Sequence, residues 1–501
     1  MKRFCCYCNL LVFNRISIIV AICIAVMLFF AGRATNSFDV ALASIMLFWL
    51  YGMFFCFINL YELYAYAIMH FMIFVFYLSR PLIANMYDLE WTYWNKDALE
   101  KGLLSILVCE IAMLMGSAIV KQVNRADELS LKKCDIGYVH FLQTTFLIIV
   151  AISGLICAYS VLNHYIALKD LPYESIYVSS EIYEPAYIRG TTTLFPYAVF
   201  AYLATMPKKR TALLVLGIYI ALGIPYFLLG NRSSLVLRIA FAVSYFFIRD
   251  YIVTRGRNRW ITNKIKIGFI VFVLFSIAFL GAYNYIRTGK LPSDQTHIPI
   301  MLDFFYRQGT TFETLCQGLH YETIIRSLPH TTLYGIGPMI DTVKHSTLSQ
   351  WLFNAKSLGS GNSLNMVLNS NSLAHKLSYV VLGEAYYLEG HGRGSSFLLE
   401  LYYDGGFALI GAFCFALGVF LGSINRIIQK GNWFINVLVI ATLSRVFYIP
   451  RSSTCDFMSF LLTPHFWLLI IAIVVANWYL NVIDFRGAKL QIKKTLRLKK
   501  I

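Results

Sequence analysis

The stretch SFLLELYYDGGFALIGAFCFALGVFL, Ser396 to Leu421, decides the fold. A helix needs about 20 mostly apolar residues to cross the hydrocarbon core of a bilayer. This run is long enough, and it carries two acids, Glu400 and Asp404, near one end. Runs of the same kind recur on both sides of it. Upstream they cover Ile16 to Phe30, Val40 to Leu60, Tyr64 to Ile83, Leu103 to Val120, and His140 to Val161. Thr192 to Thr205, Ala212 to Leu229, Ser234 to Phe247, and Ile267 to Ile286 follow. Downstream lie Trp433 to Tyr448 and Phe457 to Leu480. The reading is therefore an all-α integral membrane protein with about 12 transmembrane helices.

Composition agrees. Of 501 residues, 58% are hydrophobic and 14% charged, whereas a soluble domain is about a quarter charged. The net charge of +17 would suggest nucleic acid in a soluble protein. Here the basic residues sit in short connections, Lys121 to Lys133, Lys208 to Arg210, Arg249 to Lys266, Arg426 to Lys430, and in the tail from Arg486. Met86 to Lys101 and Leu168 to Arg189 are mixed or acidic. This alternation is the positive-inside pattern, and it places both termini in the cytoplasm. No nucleic-acid-binding motif is present, and no nucleic acid partner is expected. The basic Met1 to Arg15 leads into the first run without a small-residue cleavage site, so that run reads as a permanent span.

Three parts follow. Residues 1–287 form an N-terminal bundle of about nine helices. Residues 288–395 form a large loop on the face opposite the basic connections. Residues 396–501 hold the last spans and a basic cytoplasmic tail. Long loops are usually functional or disordered. This one contains Phe304, Phe305, Tyr306, Tyr321, Tyr334, Trp351, Phe353, Tyr379, Tyr386 and Tyr387, so it can bury apolar surface. We expect short helices on the outer membrane surface, with Trp and Tyr at headgroup level.

Charged residues at membrane depth are costly and mark candidate sites. Asn231, Ser234 and Arg238 share a helix face by their spacing. Gly230 to Ser234 presents backbone N–H groups at a helix start beside Arg232, which suits a phosphate. A helix cap with an interfacial arginine fits Arg232 equally, and a buried pair with an acid such as Glu110 fits Arg238 better. Ser396, Glu400 and Asp404 stripe one face of their span. Gly390 to Ser396, with His391 and Arg393, is a glycine-rich approach able to wrap a polar ligand. Arg445 and Arg451 flank Pro450, and Arg307 sits in Phe305-Tyr306-Arg307-Gln308-Gly309. Singly, each arginine could be snorkelling. Together with the acids they describe a pocket for a large anion beside a carboxylate.

Of 11 cysteines, Cys23, Cys56, Cys109, Cys157 and Cys414 lie in apolar runs and read as packing residues. Cys5, Cys6 and Cys8 lack a fourth ligand at tetrahedral spacing, so no metal site is expected. A Cys316–Cys455 disulfide is not indicated. Walker A, HExxH, GxSxG and paired CxxC motifs are absent. An enzyme working outside the cytoplasm without a nucleotide needs a donor that arrives activated, and a lipid pyrophosphate meets that need.

Leu229-Gly230-Asn231-Arg232-Ser233-Ser234, Arg307-Gln308-Gly309-Thr310, and Gly392-Arg393-Gly394-Ser395-Ser396 followed by Glu400-Leu401-Tyr402 resemble the Wzy-type O-antigen and capsule polymerases. The topology resembles theirs over most of the chain. The resemblance implies a glycosyltransferase C-like bundle in the bacterial inner membrane. It implies joining of undecaprenyl-pyrophosphate-linked oligosaccharide repeat units on the outer face, without metal or cofactor. It also implies membrane lipid and a chain-length regulator protein as partners. Arginines stabilise the departing pyrophosphate and a carboxylate or His deprotonates the acceptor hydroxyl. We expect Arg232, Arg307 and Arg451 on the pyrophosphate, with Arg393, Arg445 and Asp404 as further pyrophosphate or glycan contacts. Glu400 is the expected base, with His391 second. An O-antigen ligase has nearly the same topology and stays open. A flippase for the same lipid-linked unit is a rival of another class, which the large aromatic loop argues against. A membrane acyltransferase would want a catalytic His, and His70, His140 and His465 are scattered.

Overall fold

The computed structural model describes residues 2–89, 95–120, 136–170, 184–253, 260–262, scattered positions between 265 and 282, 298–359 and 361–476, with side chains from Ile16 onward. Among these residues the chain is helical and contains no strand. Hydrocarbon offers no partner for a backbone N–H or C=O, and a helix satisfies all of them internally. Eight helices are long and apolar enough to cross a membrane, and a ninth span is counted if the bent pair Asp456–Leu462 and Pro464–Ala476 is one. They coincide with nine of the expected runs.

Two other expected spans are helices of a different character. Ala186–Ala204 begins with Arg189, Gly190 and three threonines, and Arg232–Val253 carries Arg232, Arg238, Arg249 and Asp250. Neither is among the helices apolar enough to span. Polar groups interrupt runs that look continuous when only their centres are read. The expected span Ile267 to Ile286 lies mostly outside the described residues.

The chain divides into two compact units. One comprises Met1–Asp127, Ala240–Ile427 and Leu443–Phe457, and the other Glu128–Ile239, Ile428–Thr442 and Met458–Ile501.

In the first unit, glycines set how closely the spans approach. A Cβ added at Gly116 would lie 2.2 Å from the Phe415 carbonyl oxygen, and one at Gly418 2.1 Å from that of Met113. The helices Lys96–Ile119 and Phe397–Lys430 therefore cross backbone to backbone. Small residues allow this in lipid, where packing and not hydrophobicity holds helices together. Within the same unit the His70 and Glu110 side chains are wholly buried, with Nδ1 2.6 Å from Oε2. Glu110 is thus matched by a histidine and not by Arg238.

The segment from Ile298 to Ser395 folds into short helices. Its own core is polar as well as apolar. Lys376 is buried in it, and its Nζ donates to the carbonyls of Pro329, Val367 and Ser370. Three acceptors match the three protons of an ammonium. Burial pushes the Lys376 ammonium down to about 8, against the pull of Asp341. Asp341 accepts from the Asn371 N–H at 2.6 Å and from Asn371 Nδ2 at 2.7 Å. These bonds hold segments distant in sequence in one arrangement.

In the second unit, Ile136–Leu168 packs along Ala186–Ala204. Trp433 stacks on Phe146 and donates its indole N–H to the Ala201 carbonyl. Arg238 Nη1 donates to the Tyr219 carbonyl at 2.6 Å and lies over that residue's ring. This corrects the expected Glu110 partner: a backbone acceptor beside an aromatic face takes the guanidinium. Arg238 also lines a cavity of about 260 Å³ with Thr192, Tyr226, Asn231 and Ser234.

Candidate functional site

The site is built around a carboxylate in the first unit. Ser395 and Ser396 end the glycine-rich approach, and the helix begins at Phe397. One turn in stands Glu400, only 1% exposed. Its Oε1 accepts from the Ser395 hydroxyl at 2.7 Å. Its Oε2 accepts from the Ser453 hydroxyl at 2.9 Å, the Thr454 N–H at 2.7 Å and the Thr454 hydroxyl at 2.9 Å. A buried carboxylate is tolerated only when hydrogen bonds replace its water. Ser396 meets Tyr77, with the two hydroxyl oxygens 2.7 Å apart.

Asp404, the next residue along the stripe, has another set of partners. Its two oxygens accept from the N–H groups of Tyr334 and Gly335, each at 2.7 Å. Immediately after it the helix breaks. Gly406 has φ of +62°, a conformation that costs glycine little and residues with a Cβ much more. The break frees backbone groups from the helical ladder, and the Arg326 guanidinium takes the Tyr403 carbonyl at 3.1 Å.

Three arginines gather at one turn, Tyr306 to Gly309. Arg307 Nε donates to Asp303 Oδ2 at 2.7 Å, within its own helix Ile300–Gln308. Arg451 Nη1 lies 3.3 Å from Gln308 Oε1 and 3.5 Å from the Gln308 carbonyl oxygen. The third, Arg80, escaped the reading of the sequence. Its Nε donates to Glu313 at 2.7 Å, its Nη1 to the Tyr306 carbonyl at 3.2 Å, and its guanidinium lies 4.2 Å from the centre of the Tyr306 ring. Arg80 follows a π-helical turn, Phe74–Leu78, and precedes Pro81. Such turns insert one residue and re-aim the side chains that follow. An Arg-Pro pair at the end of an apolar run was the signal available; its partner Glu313 lies 233 residues away.

The turn can dock there because residue 309 has no side chain. A Cβ on Gly309 would come 2.5 Å from Arg80 Cβ and 2.7 Å from the Arg80 backbone nitrogen. Gly309→Ala is expected to push the turn off Ser79 and Arg80, at a cost of about 1–3 kcal/mol for overpacking. Thermal unfolding of the detergent-solubilised protein measures it. An unchanged midpoint would mean that the turn is not seated there.

Arg451 differs from the other two. Among the described residues no carboxylate pairs with it, and both its Gln308 contacts are long for hydrogen bonds. It stands three residues before Thr454, so the segment that holds Glu400 also carries this arginine. The remaining candidates are spread out. His391 and Arg393 are exposed. His391 Nε2 lies 3.8 Å from a Glu389 oxygen, and the Arg393 N–H is tied to the Ser378 hydroxyl. Arg445 is exposed at the end of its span. Arg232 belongs to the second unit and opens a helix just after Gly230, whose φ is +96°. Cys316 and Cys455 are both free thiols.

The cluster therefore brings together Glu400, Arg307 and Arg451 from the expected set, adds Arg80, and gives Asp404 a backbone clamp. Arg451 stands on the segment whose Ser453 and Thr454 donate to Glu400 and touches the turn that carries Arg307 and Arg80, a set of groups suited to an anionic leaving group. No curated protein and no solved structure matches the chain. The family model described as O-antigen polysaccharide polymerase Wzy matches residues 17–481, nearly the whole length. The chain belongs to the O-antigen polysaccharide polymerase Wzy family and is a multi-pass membrane protein that polymerises oligosaccharide repeat units.

Proposed function

We propose that the polymerisation runs on undecaprenyl-pyrophosphate-linked units at the outer face of the bacterial inner membrane, with Arg451 as the principal contact of the departing pyrophosphate. The observation that carries this is Arg451 itself: an arginine without a carboxylate partner among the described residues, at a turn that gathers two more arginines. The acceptor hydroxyl attacks the anomeric carbon of the donor, a new C–O bond forms, and the bond to pyrophosphate breaks. The lipid pyrophosphate leaves with the electron pair. Charge grows on it in the transition state, and fixed guanidinium groups bind it more tightly then than in the ground state. Arg307 and Arg80 sit at the same turn and share that load.

Glu400 takes the proton of the acceptor hydroxyl. Its Oε1 has one hydroxyl partner, Ser395, and a carboxylate oxygen can accept more than one bond. The acceptor reaches it by displacing the Ser395 side chain. His391 is the alternative base. Arg232, Arg393 and Arg445 are further pyrophosphate or glycan contacts, and Asp404 supports them by clamping the loop. No step runs through a metal. The chain does this as a glycosyltransferase C-like bundle of about 12 spans, with both termini in the cytoplasm and a chain-length regulator as partner.

A strain lacking this chain is expected to carry single repeat units on its surface lipid. Gel analysis of its polysaccharide decides. Surface lipid with no unit at all would point to a flippase. Long chains stranded on carrier lipid would point to a ligase.

A further inference from the structure

The loop segment carries an apolar face on which nothing packs among the described residues. The helix Thr347–Phe353 has no buried residue. Trp351 is 76% exposed and Phe353 78%, and Leu348 and Leu352 are exposed beside them. Just before it, Ile336, Ile340 and Val343 recur at helical spacing along Gly337–Lys344 and are exposed too. Large aromatics in water at this density are unusual for a surface with no partner.

The face is fixed, not frayed. Ser346 caps the helix by accepting from the Ser349 N–H. Asn354 ends it in the left-handed region, with φ of +50°. His345 Nδ1 lies 2.6 Å from the Lys356 carbonyl oxygen, closing the turn behind the helix. On the inner side of the preceding helix, Asp341 is bonded to Asn371.

Charge says what the face meets. Between Leu333 and Gly383 the one acid is Asp341, and it is buried. The exposed charges beside the aromatics are Lys344 and Lys356. Trp and Phe flanked by lysines are the chemistry of a segment lying at an anionic lipid headgroup layer. A protein partner would need acids or apolar surface of its own, whereas the membrane is already held beside the chain by its spans.

We propose that Ile336–Phe353 rests in the headgroup region of the bilayer, with Leu348, Trp351 and Leu352, which share one helix face, inserted among acyl chains and Lys344 and Lys356 on anionic lipid. The loop segment is then anchored at the height where a lipid-borne pyrophosphate can travel. The assignment is independent of which residue supplies the base or binds the leaving group.

The test uses the full chain in nanodiscs, with the Trp351 signal taken as the difference between wild type and W351F. Acyl chains carrying bromine are expected to quench it at least about twofold, and aqueous acrylamide to leave it nearly unchanged. In discs rich in phosphatidylglycerol, K344E/K356E should weaken the bromine quenching; in pure phosphatidylcholine discs it should not. Quenching by acrylamide and not by bromine would overturn the proposal in favour of a solvated loop. Quenching by neither would overturn it in favour of a second copy or another protein covering the face. Bromine quenching insensitive to the charge reversal would overturn the role of the lysines.

Discussion

Arg451→Ala is expected to abolish polymer while the protein stays in the membrane at its normal level. In the structure its side chain gives up only two long contacts to Gln308 and a distant ring, Phe76, at 5.8 Å. Losing contacts of that quality costs little stability. Its loss to catalysis is larger. At about 4 Å and an effective dielectric near 20, one guanidinium–phosphate contact is worth roughly 4 kcal/mol before desolvation. Removing a group aimed at developing charge costs roughly 3 kcal/mol of barrier, about two orders of magnitude in rate. Arg451→Lys should recover only part, because an ammonium is a point charge without the bidentate fork. Arg307→Ala and Arg80→Ala are weaker tests, since each also strands a partner, Asp303 or Glu313.

Glu400→Gln is expected to stop polymerisation in a protein that still folds. The amide oxygen can stand at the Oε2 position and keep Ser453 and both Thr454 donors. The amide nitrogen then faces Ser395, whose hydroxyl can turn to accept. What is lost is basicity, worth about 10²–10⁴-fold in rate for a general base. Glu400→Ala separates this from packing: it leaves four donors without their acceptor, at about 1–3 kcal/mol for each one left unsatisfied, and should lose protein as well as polymer. Immunoblotting and polymer analysis on both variants check the pair. Full-length polymer from Glu400→Gln would move the base to His391 or Asp404.

The membrane character and eight helices long and apolar enough to span were legible, because long apolar runs survive any detail of packing. Glu400 was legible for the same reason: an acid one turn inside a span has to be explained. Arg80 was not, since an arginine at the end of an apolar run looks like a snorkelling side chain until Glu313 and Tyr306 arrive from another segment. The pairing of Glu110 with His70 was hidden likewise, as both lie in apolar runs and contact depends on which faces meet. Asp404-Gly405-Gly406 held a helix break in plain view: two glycines in a span, one at positive φ. The polar character of two expected spans was less legible: Arg189 and three threonines stand in the first turns of Ala186–Ala204, and Arg238 lies within the apolar run of Arg232–Val253.

The most direct test of the account is polymer yield per molecule in proteoliposomes supplied with the lipid-linked repeat unit alone, with no nucleotide sugar and with a metal chelator present. Wild type should build long chains, and Arg451→Ala at equal protein should make about a hundredfold less. Equal polymer from the two would contradict the role of Arg451, and no polymer from wild type under these conditions would contradict the lipid-pyrophosphate mechanism itself.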